Sequence, residues 1–173
     1  GNDSFWLKVI ITINDHRVTL QLSLLRNMIK SIFTSNSTEE TQAFASNMAK
    51  SLPIGTVVAL IGDLGTGKTT FSQGFAKGFD VEDFVNSPTF KLVSQYDSPK
   101  GQFNHVDCYR LENPNDFLNI GGELLLNPED GITLIEWADI IEKIIPDDAI
   151  IVKFSRNPEF TERRLLNIEG WKP

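Results

Sequence analysis

The chain has a single cysteine, Cys108. One cysteine makes neither an internal disulfide nor a thiolate metal cage, and a reducing, intracellular, cytoplasmic setting is the simple reading. No apolar run approaches the roughly 18 residues of a membrane span, so no membrane role is expected. The stretch FWLKVIITI is interrupted by Lys8 and Thr12 and no small-residue cleavage pattern follows it, so it reads as structure rather than as a signal peptide. Positive charge is scarce: 16 Lys and Arg against 23 Asp and Glu give a formal charge of -7. An acidic chain is poorly suited to gripping a phosphate backbone over a broad face, so any contact with nucleic acid is indirect or confined to a small patch. Internal repeats, low-complexity tracts and a dividing linker are also missing.

What is present is a chain of 173 residues, 40% hydrophobic and 23% charged, which fits one folded domain. VIITI and RVTLQL flank the polar turn NDH and read as a β-hairpin. Residues 1–30 are taken as an N-terminal extension and 31–173 as the main domain. Met28 is a candidate natural start, with the residues before it an extension or a cloning remnant. MIKSIFTSN reads as a short strand. Ser37-Thr38-Glu39-Glu40 has the form of a capping box, and Phe44, Ala45, Met48, Ala49 and Leu52 recur at helical spacing. TVVALI, bounded by glycines, predicts a strand buried on both faces. GDLGTGKTT follows, then a helix to about Lys77. FKLVSQY and FNHVDCY predict an antiparallel pair around DSPKG, because that connection is too short for a parallel crossover. Asn113-Pro114 opens a short helix. ITLIEW is a buried strand, ADIIEKII a helix ended by Pro146, and AIIVKF and RRLLNIE are closing strands.

Gly62, Gly67, Lys68 and Thr69 fill the pattern G-x-x-x-x-G-K-[ST]. In such a loop backbone N–H groups turn inward around phosphate oxygens, the lysine reaches the β- and γ-phosphates, and the hydroxyl binds Mg²⁺. The helix that starts there adds its positive N-terminal end. The nucleotide-binding set is Gly62, Asp63, Leu64, Gly65, Thr66, Gly67, Lys68, Thr69 and Thr70. A P-loop also needs an acidic partner for the metal and the attacking water. Glu136, at the end of ITLIE beside Trp137, is one candidate. Asp107 is the other: His105, Asp107 and Tyr109 alternate and so share one strand face, which suggests a site wall. Thr69, Asp107 and Glu136 are the metal candidates, and the sequence does not divide ligation and water activation between the two carboxylates. His105 fits a proton carrier and a hydrogen-bonded strand histidine equally. Arg110 fits a phosphate clamp or a surface ion pair. Arg163-Arg164 reads better as a charged entry to an edge strand than as a nucleotide contact.

A guanine-reading N-K-x-D and a D-x-x-G are absent, so adenine is favoured. The only clustered arginines stand too late for the lid of a small-molecule kinase. A motor or pump would be larger. A compact ATPase remains, with a small kinase or a non-hydrolysing ATP-gated scaffold as alternatives.

The order GDLGTGKTTF, VNSPTFKLVSQY, HVDCYRL, GGELL and ITLIEWAD resembles the TsaE (YjeE) family, from near Ile32 to about Gly170. Thr66 stands where alanine is frequent in that family. The resemblance implies an α/β fold: a three-layer P-loop sandwich, its sheet mainly parallel with antiparallel edge strands. It implies a Mg²⁺-dependent ATPase, weak alone and stimulated by partners. Those partners are TsaD and TsaB, and the pathway is the one that forms threonylcarbamoyladenosine next to the anticodon of tRNA. It further implies that Lys68 and Thr69 hold phosphate and metal and that Ser87 and Thr89 lie in a switch-like loop. Asp107 and Glu136 would be the acidic pair, with Trp137 lining the site or supporting Glu136.

Overall fold

The structure, a computed structural model, describes residues 28–86 and 91–173. The predicted N-terminal hairpin, and Ser87 and Thr89, lie outside these residues. The elements run β1 (Lys30–Ser35), α1 (Thr38–Ser51), β2 (Val57–Ile61), α2 (Lys68–Gly78), β3 (Val93–Ser98), β4 (Gly101–Asp107), α3 (Pro114–Asn119), β5 (Gly131–Glu136), β6 (Ile150–Arg156) and β7 (Arg164–Glu169). They form one seven-stranded sheet in the order β1-β7-β6-β2-β5-β4-β3. The inner strands β6, β2, β5 and β4 are parallel. The additions β7, β1 and β3 are antiparallel. The expected sandwich, parallel within and antiparallel at both edges, is therefore what the chain adopts.

Both faces of the sheet are covered, which explains why β2 and β5 are continuous apolar runs rather than alternating ones. Val58 and Leu60 point into one core with Met48 of α1, Phe71 and Phe75 of α2, and Phe79 just after it. Val57 and Ala59 point the other way, onto Phe117 of α3 and onto Ala138 and Ile141. The helices α1 and α2 meet across Gly74 and Gly78. A side-chain carbon at either glycine would overlap the backbone of Gln42 or Ser46, so the spacing of four lets the two helices touch main chain to main chain.

Four local readings are corrected. The Ser37 hydroxyl does cap α1 by accepting from Glu40 N at 3.1 Å. The Glu40 carboxylate, however, takes the Asn36 N–H at 2.7 Å, so the reciprocal half of the box is displaced by one residue. ADIIEKII is not an α-helix but a 3-10 segment, Ala138–Ile144, broken at Ile141 (φ -114°, ψ 19°). Its buried residues Ala138 and Ile141 stand three apart, which suits a helix of three residues per turn. Tyr109 leaves the β4 face because Asp107 ends the strand: its Oδ1 accepts from Tyr109 N at 3.0 Å and starts a 3-10 turn, Cys108–Arg110. Finally, β7 is not an edge strand, since β1 returns to pair with it and takes the edge itself.

Candidate nucleotide site

Register brings the site together at the carboxyl ends of the parallel strands, where ligands sit in open α/β sheets. Leu60 of β2 is level with Glu136 of β5, and Glu136 is level with Asp107 of β4. The chain then leaves β2 into the glycine loop. Gly62 (φ +154°) allows the tight exit: a side chain there would lie 2.8 Å from the Phe154 carbonyl oxygen. Gly67 (φ +103°) occupies the left-handed region as the N-cap of α2, a conformation that strongly favours glycine. Within the loop Thr66 is buried and its hydroxyl donates to Asp63 O at 2.7 Å, while Leu64 is 75% exposed at the tip.

The Lys68 ammonium donates to Gly62 O and, at 2.9 Å, to Asp63 O. It also lies 3.9 Å from the centre of the Trp137 ring, a cation–π contact. Burial holds the Lys68 amine below its ordinary pKa, opposed by the carboxylates of Glu136, Asp139, Asp107 and Asp63. Trp137 follows β5 with a left-handed backbone (φ 57°), rare and costly for a bulky residue. That conformation turns the indole back over the lysine, and the Tyr109 ring packs against it with centroids 4.9 Å apart.

Glu136 is only 1% exposed yet accepts three side-chain hydrogen bonds. Ser72 Oγ donates to Oε1 at 2.6 Å, Thr69 Oγ1 donates to Oε2 at 3.1 Å, and His105 Nε2 lies 2.9 Å from Oε1. Burial pushes the Glu136 carboxyl up, but the hydrogen bond and charge of His105 and the bonds from Ser72 and Thr69 outweigh it. The group is held below its ordinary value of 4.5. His105 is fully buried behind Glu136, its ring packed on Phe103, so it stands behind the pocket rather than in its wall. Asp107 is 8% exposed and does reach the pocket. The neighbouring Cys108 thiol is pushed up to about 12 by burial, Asp107 and Asp139. A thiol of that kind is no nucleophile near neutral pH.

The result is a cavity of about 240 Å³ walled by Gly65, Lys68, Thr69, Asp107, Glu136 and Trp137, with Thr70 also on its lining. Loop, helix start and two strand ends therefore converge on one pocket. Among the described residues no group of three or more His, Cys, Asp or Glu side chains is placed to hold a metal unaided. Thr69, Asp107 and Glu136 instead offer an oxygen donor set, and Mg²⁺ is ordinarily bound by one or two carboxylates together with substrate phosphates.

Sequence reasoning missed two side chains here. Ser72 stands three residues after Thr69, and that spacing, which puts both on one helix face, was the available signal. Arg156 donates from Nε and Nη2 to Gly65 O at 3.0 and 2.5 Å, and no local pattern marks it.

The family model described as threonylcarbamoyl adenosine biosynthesis protein TsaE matches residues 35–165, which contain every side chain of this pocket. The tRNA threonylcarbamoyladenosine biosynthesis protein TsaE of Rickettsia bellii is 38% identical over 142 residues, 82% of this chain and 96% of that protein. The protein of the same name from Bacillus subtilis is 37% identical over 118 residues, 68% of this chain and 73% of that one. In three dimensions the chain is similar to the crystal structure of YdiB from Bacillus subtilis, with a TM-score of 0.62 and 27% identity over 82% of this chain and 85% of the other. Among the described residues no helix is long and apolar enough to cross a membrane.

Proposed function

The chain belongs to the TsaE family, and from that membership we propose that it is a Mg²⁺-dependent ATPase. It would act with TsaD and TsaB homologues to form the threonylcarbamoyl group on the adenosine next to the anticodon in tRNA. The observation that carries the ATPase reading is the bridge between the P-loop and the end of β5: Thr69 and Ser72, both on α2, are hydrogen-bonded to one buried carboxylate, Glu136.

The roles divide by accessibility. Backbone N–H groups of residues 65–69 and the start of α2 face the phosphates. Lys68 neutralises the terminal phosphates, and Trp137 limits where its ammonium rests. The Thr69 hydroxyl with Asp107 and Glu136 would hold the metal, which when bound neutralises charge developing on the phosphates. Glu136 is kept ionised by its donors, while Asp107, which lines the cavity, would orient a water.

The test is phosphate release from MgATP by the chain alone and with the TsaD–TsaB pair, alongside threonylcarbamoyladenosine formed on tRNA over many turnovers. Slow release alone, a rise with the pair, and modification that depends on this chain are expected. Stoichiometric phosphorylation of an acceptor, with no free phosphate, would overturn the reading.

A further inference from the structure

We propose that Arg156 and Arg164 form a second anion-binding wall of the nucleotide site, on the β6–β7 flank of the P-loop, for the phosphate chain of a nucleoside di- or triphosphate. The inference rests on the nucleotide reading above. Arg156 and Arg164 are direct cross-strand partners, the last residue of β6 opposite the first of β7. Like charges opposite one another destabilise a sheet. In a chain of net charge -7 a carboxylate would be the easy remedy. Yet among the described residues neither arginine has one within ion-pair distance. Their hydrogen-bond acceptors are main-chain carbonyls: Gly65 O for Arg156, and Thr161 O and Arg163 O for Arg164.

Both side chains also lie on the loop. The Arg156 guanidinium sits against Gly65, where any added side chain would meet it. Arg164 Nε comes within 3.9 Å of the position a side-chain carbon would take at Gly67, the N-cap of α2. β6 and β5 flank β2 on opposite sides, so the two guanidinium groups face the loop from the side away from Glu136 and Asp107. Guanidinium is weakly hydrated, always charged and shaped to take two oxygens of one phosphate. A phosphate chain seated on the loop would relieve the repulsion between the two arginines.

The experiment is calorimetric titration of the whole chain with MgADP, for the unaltered protein, Arg156→Gln and Arg164→Gln, with thermal unfolding of each free protein. Each substitution should weaken ADP binding about tenfold, the loss of one charge-assisted hydrogen bond. Free Arg164→Gln should melt no lower than the unaltered protein, because a like-charge contact has been removed. Arg164→Gln carries the test if Arg156→Gln also loosens the loop at Gly65. Unchanged ADP affinity in both variants would overturn the wall, as would a lower melting temperature for Arg164→Gln with affinity intact, the signature of a purely structural staple. If the unaltered protein bound no MgADP, the nucleotide reading itself would fall. Tight binding by the unaltered protein with indifferent variants would sink the wall alone.

Discussion

The two flanks of the P-loop are built on opposite electrostatic plans. On the β5 side a carboxylate is buried and saturated: Glu136 has internal donors on both oxygens. On the β6 side two cations face each other across a strand pair, half-buried or exposed, with main-chain carbonyls as their partners. In the first arrangement both carboxylate oxygens find donors within the fold, though His105 Nδ1 behind them has no partner among the described residues, so the carboxylate is fixed before any ligand arrives. The second is electrostatically incomplete, and an anion improves it. One flank therefore sets positions and the other gains from binding, a split that suits the proposed MgATP site.

The largest effect should come from removing the cation that stands between the flanks. Lys68→Ala deletes the ammonium that reaches Gly62 O and Asp63 O and lies over Trp137. ATP turnover should fall by at least the roughly 10²–10³-fold seen when a preorganised electrostatic donor is lost. Phosphate release assays and ADP titration measure it. Turnover within a few fold of the unaltered protein would mean the loop does not act through its lysine.

Next comes Glu136→Ala, aimed at the saturated flank. It strands Thr69 and His105, of which His105 is fully buried, while the Ser72 hydroxyl keeps Lys68 O as acceptor at 3.0 Å. Each unsatisfied buried group costs about 1–3 kcal/mol, so denaturant unfolding should show a loss of at least that size. Multi-turnover tRNA modification should stop as well. Asp107→Ala should stop modification with a smaller loss of stability, because Asp107 is more exposed than Glu136. If the two variants lost equal stability, the contrast between a locked carboxylate and a pocket-facing one would fail.

Much of this was legible in the sequence, for reasons that are local. TVVALI, the glycine loop and the helix behind it declare themselves through continuous burial, special backbone needs and periodicity. The FKLVSQY–FNHVDCY pair is dictated by a turn too short for any other connection. Arg156 opposite Arg164 is different: it exists only because β6 and β7 pair in one register, and nothing within either strand encodes it. His105 was placed on the right face, but whether it lines a pocket or backs a carboxylate depends on α2 packing over it. The switch from α-helix to 3-10 at Ala138–Ile144 depends on Trp137 entering in a left-handed conformation, which propensity does not reveal.

The smallest effect tests how the saturated flank stays charged. Glu136 is held below its ordinary value of 4.5 despite burial, by His105, Ser72 and Thr69. A carboxyl depressed in the folded state contributes stability that is present above its unfolded pKa and is lost as pH falls through the folded one. In magnesium-free buffer the unaltered protein should therefore keep this contribution at neutral pH and lose it on acidification below about 4.5. Ser72→Ala removes one donor while His105 and Thr69 remain. With less to oppose burial, the Glu136 carboxyl rises, and the acid limb of stability against pH should move to higher pH. The neutral-pH loss should be about 1.5–3 kcal/mol, the worth of a hydrogen bond to a charged group. The arginine variants carry no such prediction, since their charge does not change across that range. An acid limb that stayed in place in Ser72→Ala would mean that His105 and Thr69 together keep Glu136 ionised, and that Ser72 serves only to pack α2 onto β5.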